Sequence, residues 1–281
     1  MGVNRPRLTC KCCPERKVSK VQRPANGGRQ LFHAGDWSTR EEVRCAATSE
    51  GVRQAVQTAV DWAAERVADF RIGLVVPRVL QDTVPEAWPM EQPIYEPEPL
   101  GALYPVVLHS GERFSLTQEK IRTTWRDRLK RVRARLLERT DVGWVSTSAP
   151  PNLRAMRLAV QDSPSAVIGL EFAPGPAPPL LRDDPVVATI ACGAPYVVWF
   201  EHEPDAWETT KDTVEQLVAV GAFGELPHRL FEQRRREPDT IGAGLRLLWD
   251  DDELPPVAQL RGEQTLITAV GQPPASAPEG P

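Results

Sequence analysis

The 281-residue chain is 41% hydrophobic and 26% charged, which supplies enough apolar side chain for a buried core and excludes disorder of the whole chain. No run approaches the roughly 18 apolar residues that a membrane helix needs, and residues 1–30 are rich in Arg, Lys and Pro instead of carrying an apolar signal core. The sequence therefore predicts a soluble, cytoplasmic protein with no membrane partner.

The formal charge of −4 is divided unevenly along the chain. Residues 1–45 hold ten Lys or Arg against four Asp or Glu, a net +6, whereas residues 46–281 hold 24 against 34, a net −10. Residues 1–50 also lack a hydrophobic period, so they predict a basic, poorly ordered leader.

Five cysteines, an odd number, do not indicate the disulfide framework of a secreted protein. A zinc site could be built from four of them with His33, although their spacing lacks two well-formed knuckles. These four are Cys10, Cys12, Cys13 and Cys45. The fifth, Cys192, ends a predicted helix and is expected to be a small buried thiol, on the sheet edge away from the candidate site, and not a nucleophile.

Residues 51–265 carry the apolar periodicity of a folded domain. Valines at intervals of four within 51–70 predict an amphipathic helix, which runs into an apolar strand at 70–76. Residues 81–101 are rich in Pro and Glu and predict a long surface loop anchored by Trp88.

A second strand is predicted at 103–108, followed by a helix between 119 and 139 in which Trp125 recurs with other apolar residues at the helical period. That helix holds nine Lys or Arg against three acids, a pattern that can bind phosphate but is commoner on solvated faces. Four arginines are expected to point outward and contact a partner. They are Arg126, Arg128, Arg131 and Arg135.

Three further strands are each continuous in apolar residues, which is typical of strands covered on both faces. They lie at 166–172, 196–200 and 245–249, with helices at 185–192, 212–223 and 226–237. The pattern predicts one α/β domain with a central, mostly parallel sheet of about five strands and helices on both faces. Residues 266–281 are a Pro-rich tail predicted to be disordered.

Polar clusters follow three of these strands, and in a parallel sheet the carboxyl ends meet at one edge. The clusters are His109, Ser110 and Glu112, then Glu201, His202 and Glu203, then Asp250, Asp251, Asp252 and Glu253. One interpretation is a divalent-metal hydrolase that uses His109, His202, Asp250, Asp251 and Asp252. The other interpretation gives the clusters a structural or a recognition role. In the structural role the acidic run forms a turn, and in the recognition role Asp251 and Asp252 contact a partner.

Motifs of nucleotide and hydrolase chemistry are absent from the sequence. It contains no GxxxxGK[ST] phosphate loop, no GxGxxG after the first strand, no GxSxG elbow and no HExxH. We therefore expect no cofactor, and any energy-driven activity has to come from a partner.

The order of several apolar blocks resembles the VMAP-C domain, the C-terminal domain of von Willebrand A and MoxR-associated proteins. The blocks are 70–80 with Trp88, 100–101, 104–110, 125–129, 193–199, 226–227 ahead of 234–236, and 247–256. The resemblance covers about 52–261, and several blocks in the right order are more specific than any one short motif.

The resemblance implies a component of an NTP-dependent bacterial conflict (antiphage defence) system that acts with a MoxR-type ATPase and a von Willebrand A protein. It carries over no catalytic residues, and residues 1–50 are too short for the effector domain that usually precedes this domain. We therefore expect a non-enzymatic interaction or regulatory module, nearly a bare C-terminal domain, with protein partners and no nucleic acid. The metal-dependent hydrolase is the alternative.

Overall fold

The computed structural model describes residues 49–65, 70–92, 94–114, 119–136, 141–146, 152–178, 180–236 and 244–250, together with the backbone of short strands between 7 and 45 and between 265 and 271. The chain divides into two compact units. The first comprises Met1–Leu74 with Thr265–Pro281, and the second, here called the central unit, comprises Val75–Gln264.

The first unit contains short strands and one long helix. They are β1 (Arg7–Leu8), β2 (Lys11–Cys12), β3 (Ala25–Asn26), β4 (Arg29–His33), β5 (Asp36–Glu41), β6 (Arg44–Cys45), α1 (Ser49–Ala64) and β15 (Thr265–Gly271). As the valine spacing predicts, α1 buries Val52, Val56 and Val60 on one face. Strands β4 and β5 pair antiparallel, as do β2 and β15. The predicted domain bounds at 50 and 265 stay a prediction.

Strand β7 (Phe70–Val76) begins in the first unit, and its last two residues, Val75 and Val76, begin the central unit. Its elements are α2 (Arg78–Gln81), β8 (Pro89–Met90), β9 (Glu98–Pro99), α3 (Leu100–Leu103), β10 (Val106–Ser110), α4 (Gly111–Phe114), α5 (Glu119–Leu136), β11 (Val142–Val145), α6 (Leu153–Asp162), β12 (Val167–Leu170), α7 (Pro185–Ala191), β13 (Tyr196–Phe200), α8 (Trp207–Ala219), α9 (Leu226–Arg236) and β14 (Leu245–Trp249).

These strands form a sheet in the order β11-β12-β13-β14-β10-β7. The pairs β11–β12, β12–β13 and β10–β14 are parallel, and β13–β14 is antiparallel. The predicted α/β class with a mostly parallel sheet and surrounding helices is confirmed, with six strands instead of about five. Strand β11 and helix α6 were not predicted.

The reversal at β14 decides which strand ends meet. Tyr196 lies opposite Trp249 and Phe200 opposite Leu245, while Leu108 of β10 lies beside Leu248. The carboxyl ends of β10 and β14 therefore share one edge with the amino end of β13, and the carboxyl ends of β11, β12 and β13 share the other edge. The prediction that all three polar clusters gather at one edge is wrong.

Both faces of the sheet are buried, as the continuous apolar strands predict. Tyr196, Val198 and Phe200 of β13 belong to a core that also contains residues of α5, α8 and α9. The alternate residues Val197 and Trp199 point to the opposite face and are buried as well.

The segment 81–101 is more structured than the predicted surface loop. Strands β8 and β9 pair antiparallel and make a small hairpin, with Pro89 opposite Pro99. The predicted anchor is confirmed, because Trp88 is buried and its indole nitrogen donates a hydrogen bond to the carbonyl of Thr83 at 2.9 Å. Leu100 is also buried, so both ends of the hairpin are fixed in the central unit.

Candidate functional site

The carboxyl ends of β10 and β14 meet at Asp250, which is fully buried. One carboxylate oxygen accepts a hydrogen bond from Nη1 of Arg113 at 2.5 Å, and the other accepts from the backbone N–H of Ser110 at 3.1 Å. Nη2 of Arg113 in turn donates to the carbonyls of Ile190 and Ala194. Asp250 thus joins β10, α4, the end of α7 and the start of β13.

Two further groups complete this strand-end cluster, which comprises His109, Ser110, Glu112, Arg113 and Asp250. Nδ1 of the buried His109 lies 3.5 Å from a carboxylate oxygen of Asp250. Glu112 accepts from the backbone N–H of Arg78 at 2.7 Å and from the hydroxyl of Ser110 at 3.2 Å, and burial raises the pKa of its carboxyl. Most polar atoms of the cluster therefore bond one another, while Nδ1 of His109 and Nε of Arg113 have no hydrogen-bond partner among the described residues.

The hydrogen bonds of the strand-end cluster connect elements of the fold to one another and give it a structural role. The buried guanidinium of Arg113 occupies the place beside Asp250 that a metal cation would need, and it would repel such a cation. Within the described residues, no three His, Cys, Asp or Glu side chains lie close enough together to hold a metal ion.

The predicted cluster of Glu201, His202 and Glu203 lies at the opposite edge of the sheet. Glu201 follows β13, and its carboxylate accepts a hydrogen bond from Arg246 at 2.5 Å. The side chain of His202 is 88% exposed. His202 and Asp250 are therefore separated by the length of the β13–β14 pair, which removes the shared site that the hydrolase interpretation requires.

Several predicted residues lie outside the described side chains. They are Asp251, Asp252, Arg135, Cys10, Cys12, Cys13 and Cys45.

Cys192 is a free, buried thiol at the end of α7, as the sequence predicts. Its sulfur lies 3.7 Å from the carbonyl oxygen of Arg157, and burial raises the pKa of the thiol. The predicted position away from the strand-end residues is wrong, because the backbone N–H of Asp250 donates to the carbonyl of Pro195, three residues beyond Cys192.

Helix α5 buries Trp125, Leu129 and Val132 and exposes cationic side chains on its other face. Five exposed cations are here called the α5 cationic face: Lys120, Arg126, Lys130, Arg131 and Arg133. Two of the predicted partner contacts, Arg126 and Arg131, lie on it.

The prediction that Arg128 points outward is wrong. Its side chain is buried, with 5% exposed, and donates to the carbonyl of Val160 at 2.5 Å and to that of Ser163 at 3.3 Å. These carbonyls belong to the last turn of α6 and its cap, which the helix cannot satisfy by itself. Arg128 is therefore a link between α5 and α6.

The hairpin of β8 and β9 carries a feature that the sequence analysis missed. Ile94 and Tyr95, here called the hairpin tip, are 83% and 70% exposed, although both are large and apolar. Acidic residues flank the tip in the sequence, and three of them are also exposed: Glu91, Glu96 and Glu98. The available signal was an adjacent Ile-Tyr pair inside a run of Pro and Glu, where no buried partner is expected.

Among the described residues, no helix is long and apolar enough to cross a membrane.

Comparison with known proteins assigns the chain to a family. No curated protein and no solved structure matches the chain. The family model of the vWA-MoxR associated protein C-terminal domain, VMAP-C, matches residues 9–252, which is most of the 281 residues and agrees with the order of the apolar blocks. The chain therefore belongs to the VMAP-C family.

Proposed function

We propose that this chain is a non-enzymatic protein-interaction module that acts with a MoxR-type ATPase and a von Willebrand A protein in a bacterial conflict system. The partner classes come from the family to which the chain belongs. The observation that carries the proposal is the hairpin tip, where two adjacent large apolar side chains are presented to solvent.

A protein partner would gain from covering the hairpin tip. Tyr is among the residues enriched at the energetic centres of interfaces, and burying an apolar side chain contributes about 1.5–3 kcal/mol. The β8–β9 pairing holds both ends of the loop 91–97 that carries the tip, so less conformational entropy is lost on binding than for a free segment. The surrounding glutamates favour a partner pocket with a basic rim.

The internal bonding of the strand-end cluster supports the non-enzymatic part of the proposal. Asp250 is bonded to Arg113 and Ser110 and is fully buried, so it has no open face toward a substrate. Catalysis needs a group within hydrogen-bond reach of the reacting atoms. A packing role accounts for these residues without a reaction.

The first test removes the apolar surface of the hairpin tip. The double variant Ile94→Ser, Tyr95→Ser should retain at least tenfold less of a MoxR-type ATPase and von Willebrand A pair in co-purification, with an unchanged unfolding midpoint. The matched control is Leu158→Ser with Val220→Ser, two residues that are 52% and 60% exposed elsewhere on the surface.

Two outcomes would contradict this proposal. Equal retention of the partners by the tip variant and the control would remove the tip from the interface. Hydrolysis of nucleic acid, peptide or phosphoester substrates by the purified chain with Mg²⁺, Mn²⁺ or Zn²⁺ would remove the non-enzymatic assignment.

A further inference from the structure

A cleft of about 280 Å³ opens in the central unit, and no residue of the hairpin tip or of the α5 cationic face lines it. It is lined by residues from 78–84, 174–176 and 199–202, and by Arg246. Sites for whole small molecules usually measure about 300–1,000 Å³. The size of this cleft suits one side-chain group better than a nucleotide cofactor.

The cleft contains a buried acceptor without a donor. Gln81 is 3% exposed, and its amide nitrogen points to the carbonyl of Val76 at 3.5 Å. Its carbonyl oxygen has no hydrogen-bond partner. A buried acceptor in this state is costly, so a donor supplied by a ligand would be favoured.

Two carboxylates on the cleft wall keep spare acceptor capacity. Asp82 accepts from Arg78 and from the backbone N–H of Ala177 at 2.6 Å, which leaves lone pairs on both oxygens. Glu201 uses one oxygen for Arg246, and its other oxygen is 3.9 Å from the imidazole of His202. The Glu201 side chain is 35% exposed and is open to an incoming donor.

Among the Arg, Asp and Glu side chains that line the cleft, Arg78 and Arg246 balance Asp82 and Glu201, and an excess of one carboxylate arises only in the ion-pair network behind the cleft. Buried and partly buried ion pairs surround it: Arg78–Asp82, Arg78–Asp184, Arg246–Glu201, Arg246–Glu86 and Arg234–Glu86. These pairs comprise four carboxylates and three guanidinium groups. An added cation would balance this network as a whole.

Backbone strain is present in the same cleft wall. Val84 has a φ of +53°, which is an unfavourable left-handed conformation for a β-branched residue. Residues held in such conformations concentrate at ligand clamps and active sites. The left-handed conformation of Val84 is therefore a feature that this cleft shares with ligand-binding sites.

We propose that this cleft binds the guanidinium group of an arginine side chain that a polypeptide presents. A guanidinium carries five donors and no acceptor, which matches the three acceptor side chains that line this cleft, Gln81, Asp82 and Glu201. It is also more weakly hydrated than the ammonium group of lysine and packs its flat faces against apolar walls. Pro174 and Pro176 supply such walls.

The charges favour an arginine within a chain over free arginine. Arg78 and Arg246 are each ion-paired with two carboxylates, so they attract the α-carboxylate of the free amino acid less than an unpaired cation would. That carboxylate would also meet Asp82 and Glu201. A blocked arginine avoids this repulsion.

The test titrates N-acetyl-arginine N-methylamide into the full chain and follows the side-chain amide signal of Gln81 by NMR. A group this small is expected to bind with a dissociation constant on the order of 1 mM. The citrulline analogue, which has the same shape without the charge, should bind at least tenfold more weakly. Free arginine and the blocked lysine analogue should also bind more weakly.

Two variants separate recognition from structural effects. Glu201→Gln should weaken binding of the blocked arginine at least tenfold, whereas Glu203→Gln, an exposed neighbour outside the cleft lining, should not change it. Gln81→Met should weaken binding without lowering the unfolding midpoint, since it removes an unpaired oxygen. Equal binding of arginine and citrulline probes, or wild-type binding by Glu201→Gln and Gln81→Met, would overturn the proposal. Loss of partner retention by the hairpin-tip variant does not affect this test.

Discussion

Asp250 and Arg113 are both fully buried, and each stabilises the charged form of the other. Desolvation lowers the pKa of Arg113, and the nearby carboxylate of Asp250 opposes that change. Breaking a buried pair by removing one partner leaves an uncompensated charge, whereas replacing both partners by apolar residues of similar volume is often neutral. The pair therefore holds the strand ends in place without contributing much net stability.

Mutation of this pair tests its structural role. Asp250→Ala should lower the free energy of unfolding by about 3–5 kcal/mol, because Arg113 is left buried without a counter-ion. The double variant Asp250→Leu, Arg113→Met should recover most of this loss. Urea unfolding followed by circular dichroism measures both values. A loss below about 1 kcal/mol in Asp250→Ala would argue that the site is hydrated and open, as the hydrolase interpretation needs.

At the scale of elements, α5 and α6 are joined by Arg128. Its guanidinium satisfies carbonyls at the end of α6 that have no partner inside the helix. Arg131 lies one turn further along α5 and is exposed. The two residues have the same chemistry but different environments, so they form a matched pair.

Truncation of the two arginines should give different results. Arg128→Ala should lower the free energy of unfolding by about 1–3 kcal/mol, since buried carbonyls lose their donors. Arg131→Ala should stay within about 0.5 kcal/mol of the wild type, as is usual for an exposed side chain. Chemical unfolding of both variants in one series measures the difference. Equal losses would mean that the capping bonds of Arg128 contribute nothing.

The elements with strong apolar patterns were predictable from the sequence, and two weaker ones were not. Strands β7, β13 and β14 coincide with their predicted bounds because each is a continuous apolar run closed by polar residues or proline. Strand β11 has four residues, most of them only partly buried, and α6 buries only Met156 and Val160. Patterns this short do not separate a strand or helix from a loop.

The position of Arg128 could have been predicted from the helical period. Arg128 lies three residues after Trp125 and four before Val132, so it falls on the same buried stripe of α5. Its charge suggested exposure instead. The long aliphatic stem of arginine lets the residue share an apolar stripe while its head reaches a polar partner.

At the scale of the whole molecule, strand direction decides which predicted site residues meet. One helix, α7, connects β12 to β13, and that pair is parallel. Two helices, α8 and α9, lie between β13 and β14 and return the chain to the edge that it left, so that pair is antiparallel. Both helices were predicted, so the separation of His202 from Asp250 was within reach of the sequence. The contacts of Asp250 were not, because they depend on tertiary packing.

The charge distribution of the chain favours protein partners over nucleic acid. Residues 46–281 carry a net −10, which disfavours binding of a phosphate backbone outside cationic patches such as that of α5. Two of the cations of α5, Arg122 and Arg128, are buried and cannot meet phosphate groups. The five exposed cations of the α5 cationic face lie on a single helix, and they suit an acidic surface on a protein.

Charge reversal on this face tests the partner class. Arg126→Glu with Arg131→Glu should weaken co-purification with the ATPase and von Willebrand A pair severalfold, mainly through slower association, because exposed charges act by steering. The control Arg154→Glu with Arg182→Glu makes the same change in net charge at exposed positions outside α5 and should retain the partners.

In fluorescence anisotropy with duplex DNA, the wild-type chain should bind only weakly, with log affinity falling by about 0.9 per phosphate contact for each tenfold rise in salt. Tight, sequence-selective DNA binding at about 150 mM salt, lost in the α5 variant and kept in the control, would instead make nucleic acid the partner of this face.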